Sequence, residues 1–163
     1  LIQMRPDVPE DIRAVEWIAY ASNALPPRLL NRPGPLPPGE AHFVLQEQWQ
    51  GQFLCAAPEL SRALENMLDN AVRYTPAGGT VTLTISKPED TLVFTVTDTG
   101  PGFTPEALHK AGQFLYTDAA RPGNGHQGLG LYLARSVAQA HVGKLVLANT
   151  GTGAQVQLCL PIQ

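Results

Sequence analysis

Near residue 75 the hydrophobic pattern of this chain changes its period, and that change excludes an all-helical or an all-strand fold. Leu60, Leu64, Met67, Leu68 and Ala71 recur at i, i+4, i+7, i+8 and i+11, the spacing that lines one face of an α-helix. Val81, Leu83 and Ile85 then alternate with threonines, and Leu92, Phe94 and Val96 alternate after Lys87-Pro88-Glu89-Asp90. That is the period of strands with one buried face. The spacing predicts a helix over 58–74 followed by an antiparallel hairpin.

A second helical stripe, Leu129, Leu133, Val137 and Ala140, predicts a helix over 129–141 with Gly143 as its C-terminal stop. Strands are expected over 144–148 and 155–160, around the turn Thr150-Gly151-Thr152-Gly153. Nearer the start, Ile12, Val15, Ile18 and Ala19, with Glu10 and Asp11 in the first turn, predict a short helix within 10–25. Six prolines between residues 26 and 38 exclude regular helix and sheet interior there. That stretch reads as a stiff linker or surface loop. The runs 43–47 and 52–56, separated by Gly51, are strand candidates. Between Thr99 and Gln127 periodicity is weak and glycine and proline are frequent, and long loops inside compact domains are usually functional.

At 163 residues the chain suits one ordinary domain. Charged residues are 15% of it, below the usual value of about 25%, which disfavours a strongly solvating disordered tail. The formal net charge is −3, and Lys87, Lys110 and Lys144 are scattered rather than clustered. A general nucleic-acid footprint is disfavoured. No apolar run approaches the length of a membrane span and the first residues carry no signal-peptide pattern, so a soluble segment is expected. Cys55 and Cys159 make neither a metal cluster nor a dense disulfide framework, and a reducing cytoplasm is the simpler expectation. Whether they pair is left open.

Three groups of residues are candidates for chemistry. Asn66, Asn70 and Arg73 stand at i, i+4 and i+7 of the first helix, on a stripe opposite the apolar one. A solvated polar face accounts for them. So does a magnesium site, because two amide oxygens one turn apart suit an ion that keeps waters and phosphate oxygens, while Arg73 pairs a phosphate. Asp98 continues the register of Leu92, Phe94 and Val96 and is therefore aimed at the buried face. It either opens a turn or accepts from the amino group of adenine, with Gly100 and Gly102 letting backbone approach the ring. Gly123-Asn124-Gly125-His126-Gln127-Gly128-Leu129-Gly130 precedes the last helix. It is either a flexible linker or an anion site built from free N–H groups and the helix dipole. It matches neither a P-loop nor a Rossmann fingerprint.

Taken in order, Asn66-Met-Leu-Asp-Asn70-Ala, Asp98-Thr-Gly100-Pro-Gly102-Phe and Gly128-Leu-Gly130-Leu131 resemble the N, G1 and G2 boxes of sensor histidine kinases. The resemblance extends to Ala-Val-Arg73-Tyr74-Thr75-Pro76 and to Gly151-Thr-Gly153. It covers roughly two thirds of the chain. It implies the catalytic, ATP-binding domain of the GHKL superfamily: an α/β two-layer sandwich in which a mixed, mainly antiparallel sheet packs on helices, with a long ATP lid that is mobile without nucleotide. By the resemblance, residues 41–163 are that domain, and 1–40 are an N-terminal helix and proline-rich connection. Asn66 and Asn70 would hold magnesium and, with Arg73, serve catalysis. Tyr74 would lie along adenine, and Asp98 would read its amino group. Gly100 and Gly102 would shape the purine pocket. Gly128, Leu129 and Gly130 would bring lid backbone to the phosphates, and Arg121 and Gln127 would contact the terminal phosphate.

The chain departs from the family at Ala111, where a phenylalanine is usual, and at Ala154, where threonine is common. None of His42, His109, His126 and His141 has the family's phosphoacceptor context. The resemblance therefore implies a protein-histidine kinase fragment that uses Mg-ATP to phosphorylate a histidine on a dimerisation domain absent from this chain. Its partners would be that domain of a homodimeric parent and, indirectly, a response regulator. The place implied is the cytoplasmic side of a membrane-anchored parent kinase. The alternatives are a GHKL serine kinase of anti-sigma type and a non-catalytic ATP-binding switch. Asn66 argues against the former, because such relatives usually place Glu there as a general base and an amide takes no proton at neutral pH.

Overall fold

The two periods that meet near residue 75 become two adjoining layers. The computed structural model describes residues 12–13, 41–49, 52–53, 55, 57–110 and 129–162. In chain order the elements are β1 (Ile12–Arg13), β2 (His42–Glu47), β3 (Gln52–Phe53), α1 (Ala57–Tyr74), β4 (Thr80–Ser86) and β5 (Thr91–Asp98). There follow α2 (Pro105–Lys110), α3 (Leu129–Ala140), β6 (Lys144–Asn149) and β7 (Ala154–Pro161).

Five strands form one sheet in the order β2-β4-β5-β7-β6. β2 runs parallel to β4, and every other neighbour is antiparallel. A parallel pair cannot be closed by a tight turn, and here the connection from β2 to β4 carries α1. The mixed, mainly antiparallel sheet packed on helices is the layering that the resemblance implies.

Alternation places Val81, Leu83 and Ile85 of β4, Leu92, Phe94 and Val96 of β5, and Val156, Leu158 and Leu160 of β7 on the buried face. The whole predicted stripe of α1 is buried against this core. Phe94, at the centre, is fully buried and meets the Phe53 ring at a centroid distance of 6.3 Å. α3 packs beside α1 and over β6 and β7. Its buried residues are Leu131, Ala134 and Ala138, with Val137 packed partly buried beside them, so the buried face is turned away from the stripe through Leu133 and Ala140 that hydrophobicity alone selects. Ala140 is exposed. Small side chains at i and i+4 let the helix settle closely against its neighbours, and a hydrophobic-period reading gives alanine too little weight.

Other expectations are corrected at the level of single elements. Ile12 and Arg13 are extended and pair with Phe53 and Gln52, where periodicity predicts helix. The rest of 10–25 lies outside the described residues, as does the proline-rich stretch. Of the strand expected over 52–56, Gln52–Phe53 is a strand and Cys55 is not, while 54 and 56 lie outside the described residues. Within the weakly periodic loop, Pro105–Lys110 is a short helix capped by Thr104, whose Oγ1 accepts from Ala107 N at 3.1 Å. Thr-Pro-Glu, with a capping hydroxyl, a proline in the first helical position and an acid in the first turn, is a legible start signal. The remainder of the expected lid, 111–128, lies outside the described residues.

Cys55 and Cys159 form no disulfide with each other. Burial pushes the Cys159 thiol above its usual value, against an opposing pull from Lys144 across the strand pair.

The end of α3 also differs from expectation. Gly143 N bonds Ala138 O at 2.8 Å and Val142 N bonds Gln139 O at 3.0 Å, the paired bonds of a Schellman stop. The left-handed residue in that motif is Val142, at φ 61, not Gly143. A Cβ on Gly143 would run into the Cys159 carbonyl. The glycine is thus consumed by a close approach, and the strain falls on a β-branched residue that is 74% exposed. Left-handed backbone costs such a residue about 1–2 kcal/mol. Val142→Gly is therefore expected to raise the melting temperature by about 2–4 °C, measured by calorimetry, and Gly143→Ala to lower it. A fall for Val142→Gly would refute the strained stop.

Candidate functional site

The C-terminal end of β5 is where the sheet, α1 and two turns converge. Asp98 closes that strand and is 4% exposed. A carboxylate so placed must be met by donors. Its Oδ1 accepts from Gly100 N at 2.9 Å and from Ala154 N at 3.2 Å. Both donors are backbone groups, one from the turn after β5 and one from the start of β7.

The surroundings of Asp98 exclude side chains. A Cβ on Gly100 would lie 2.5 Å from the Tyr74 carbonyl and 3.1 Å from Asp98 Oδ1. A Cβ on Gly153 would collide with the Asp98 backbone carbonyl. Gly102 has φ 79, and a Cβ there would stand 2.9 Å from Asn149 Oδ1. Each glycine is needed for a separate physical reason.

The turn between α1 and β4 is tied to the same end of the sheet. Gly79 N bonds Pro76 O at 2.9 Å, and Thr99 Oγ1 accepts from Thr80 N at 2.9 Å. Tyr74 is buried at 6% exposure, and it is its backbone carbonyl that faces Gly100. In the β6–β7 turn, Thr150 N bonds Gly153 O at 2.8 Å, while Thr150 Oγ1 accepts from Gly153 N at 3.1 Å. This tight turn delivers Gly153 and Ala154 to Asp98.

Asn66 and Asn70 are both partly buried, and Arg73 is exposed. The asparagines thus lie on a flank of the packed surface rather than on a fully solvated stripe. The Nδ2 atom of Asn66 is buried without a hydrogen-bond partner. A buried polar atom left so is costly, and the two ends of an amide exchange by a half-turn of the side chain. With the oxygen turned to that side, Asn66 offers a donor atom of the kind that magnesium takes. The residues present therefore fit such an ion. Among the described residues no group of three or more His, Cys, Asp or Glu could hold a metal, so a site of the carboxylate or histidine type has no support there. Arg73 meets Asp69 at 3.6 Å as a surface i, i+4 pair. Such a pair is worth little and is easily exchanged for a phosphate.

Leu129 and Gly130 open α3, whose first-turn N–H groups have no partners within the helix. Gly128, Gln127 and Arg121 lie outside the described residues, as does Ala111. Sequence reasoning missed Asn149 altogether. This residue ends β6, and its amide makes two bonds to the backbone of Phe103. An asparagine before a Thr-Gly turn looks like an ordinary turn former, and nothing local signals a bond across 46 residues.

Known proteins resemble the chain in sequence and in fold. A family model described as histidine kinase-, DNA gyrase B-, and HSP90-like ATPase matches residues 55–163. Sensor histidine kinase SpaK of Bacillus subtilis is 42% identical over 106 residues, which are 64% of this chain and 23% of that protein. Adaptive-response sensory kinase SasA of Synechococcus sp. (strain JA-2-3B'a(2-13)) is 33% identical over 148 residues, 77% of this chain and 38% of that protein. The chain thus spans well under half the length of these relatives. Among solved structures, the mycobacterial sensor histidine kinase MprB superimposes with a TM-score of 0.80 at 23% identity, covering 94% of this chain and 99% of that one. The catalytic domain of histidine kinase ThkA gives a TM-score of 0.73 at 17% identity, covering 93% of each chain. These two likenesses speak for the fold. The family match extends over the helix, strand, turn and hairpin that build the Asp98 site, and the chain accordingly belongs to the histidine kinase-, DNA gyrase B- and HSP90-like ATPases, as a catalytic ATPase domain of the sensor-histidine-kinase type.

Proposed function

We propose that residues 41–163 bind Mg-ATP and deliver its γ-phosphoryl group to a histidine of a dimerisation domain outside this chain, within the homodimeric sensor kinase of a two-component system. Residues 1–40 serve as the connection to the rest of that parent. A response regulator then receives the phosphoryl group from the histidine. The domain works on the cytoplasmic side of a membrane-anchored parent, where ATP is supplied; among the described residues no helix is long and apolar enough to cross a membrane.

The observation that carries this reading is the buried Asp98 carboxylate, held by the Gly100 and Ala154 amides in a place where Gly100 and Gly153 leave no room for side chains. Such an acceptor selects a ligand edge bearing an amino group, and adenine has one. Gly102 shapes the turn beside it, and Tyr74 borders it through its carbonyl.

Phosphoryl transfer asks a protein mainly for positioning and charge neutralisation. Asn66 and Asn70 would hold magnesium through their amide oxygens, and the ion would neutralise charge on the phosphates. Arg73 releases Asp69 to pair a phosphate oxygen. The first N–H groups of α3, at Leu129 and Gly130, and the Gly128 backbone before them bind phosphate through the positive end of the helix dipole. Gln127 and Arg121, which lie outside the described residues, would contact the terminal phosphate. An amide at Asn66 takes no proton at neutral pH, which favours histidine as acceptor over a hydroxyl that needs a base.

ATP is expected to bind more tightly than GTP by about ten- to hundred-fold, since a carbonyl facing the Asp98 carboxylate forfeits about 1–3 kcal/mol. Asp98→Asn should remove most of that preference with the circular-dichroism spectrum unchanged, and equal affinities of the parent chain for the two nucleotides would sink the Asp98 assignment. Asn70→Ala should abolish the tightening by magnesium while leaving magnesium-free binding intact, as read by titration with and without the ion. The chain alone should bind ATP without labelling itself. Supplied with its parent's dimerisation helices, it should give an acid-labile, base-stable label on their histidine, weakly because the tethering effect is lost. Acid-stable phosphoserine on that partner would overturn the histidine-kinase reading.

A further inference from the structure

The turn that walls the Asp98 site is anchored at its two ends by different parts of the chain. At one end Gly100 N bonds Asp98 Oδ1 at 2.9 Å. At the other, Asn149 Oδ1 accepts from Phe103 N at 2.7 Å and Asn149 Nδ2 donates to Phe103 O at 2.8 Å. We infer that Asn149 is a positioning residue for purine recognition, whose amide holds the turn from Gly100 to Phe103 in the shape that the base requires. This rests on the reading of Asp98 as the acceptor for adenine.

The two bonds reproduce with a side chain what a strand partner does with its backbone. Both ends of the amide are used on one residue, so its orientation is determined: a flipped amide would set donor against donor and acceptor against acceptor. Gly102, between the two anchors, takes φ 79 and packs so near Asn149 that a Cβ would stand 2.9 Å from its Oδ1. Asn149 is also the register partner of Ala154, the residue whose N–H reaches Asp98. A closed circuit results, from Asp98 through Gly100 to Phe103, across to Asn149, over one rung to Ala154, and back to Asp98. Any movement of Phe103 away from β6 opens this circuit at the purine side. Asn149 itself is exposed, so its loss leaves no cavity in the core and loosens only the turn.

The test uses the whole chain and compares Asn149→Ala and Asn149→Ser with the parent sequence, titrating non-hydrolysable analogues of ATP and GTP. Loss of two hydrogen bonds should weaken the ATP analogue about tenfold. The preference for ATP over GTP should shrink by a similar factor, because the turn shapes the base pocket and not the phosphate site. A purely structural role would lower both affinities together and leave their ratio unchanged, and that result overturns the inference. Unaltered affinity for the ATP analogue in both substitutions overturns it as well, and so does loss of the folded circular-dichroism spectrum, which would make Asn149 a residue of general stability. If the parent chain binds no adenine nucleotide, the nucleotide-binding reading falls and this inference with it. Binding by the parent with unchanged substitutions removes the inference alone.

Discussion

A carboxylate buried at the end of the central strand is the constraint from which the rest of the site follows. An ionised group out of water is tolerated only when donors surround it, and Asp98 takes two of them from the backbone, at Gly100 and Ala154. Backbone donors must come very close, and side chains must therefore be absent. That is why Gly100 and Gly153 leave no space for a Cβ. The β6–β7 turn in turn has to be tight, since it must return the chain to Asp98 within a few residues. Hydrogen bonds to charged groups are stronger than neutral ones, so this small polar cluster also fastens the outer hairpin to β5.

The layer architecture then brings the ends of two helices to that cluster. α1 ends at Tyr74, whose carbonyl abuts Gly100. α3 is joined to β6 by three residues and doubles back over it, which carries the first turn of α3 toward the same end of the sheet as Asn149 and Ala154. In the proposed function one helix contributes amides and an arginine along its flank, and the other its first-turn N–H groups. Gly153 and Ala154 could not be grouped with Asp98 by distance along the chain. The sheet order β2-β4-β5-β7-β6 does this work by inserting β7 between β5 and β6, which places the two turns around Asp98 side by side.

Much of this was readable beforehand, for reasons that differ from residue to residue. The α1 stripe and the β4–β5 alternation were legible because large aliphatic side chains at strict period report burial directly. Asp98 was legible because it continued an inward register that a carboxylate should avoid. The buried face of α3 was not, because alanines at Ala134 and Ala138 pack well through small size, which hydrophobicity does not register. Gly143 marks the end of α3 as expected, but its lack of a side chain serves the close approach of a neighbouring strand's carbonyl, and the left-handed conformation falls on Val142. The short helix after Thr104 carried a capping signal that weak periodicity concealed.

Local chemistry determined what each segment would become, and in what order the Asn66-Asn70, Asp98-Gly100-Gly102 and Gly128-Gly130 motifs would stand. Period, capping and glycine placement are properties of a few neighbouring residues and survive without a partner. Tertiary structure alone decided which groups meet. Asn149 reaches Phe103 and Ala154 reaches Asp98 across 46 and 56 residues. Such bonds depend on strand order and register, which arise only when separate segments bury their apolar faces against one another, and no single segment encodes the place where another will land.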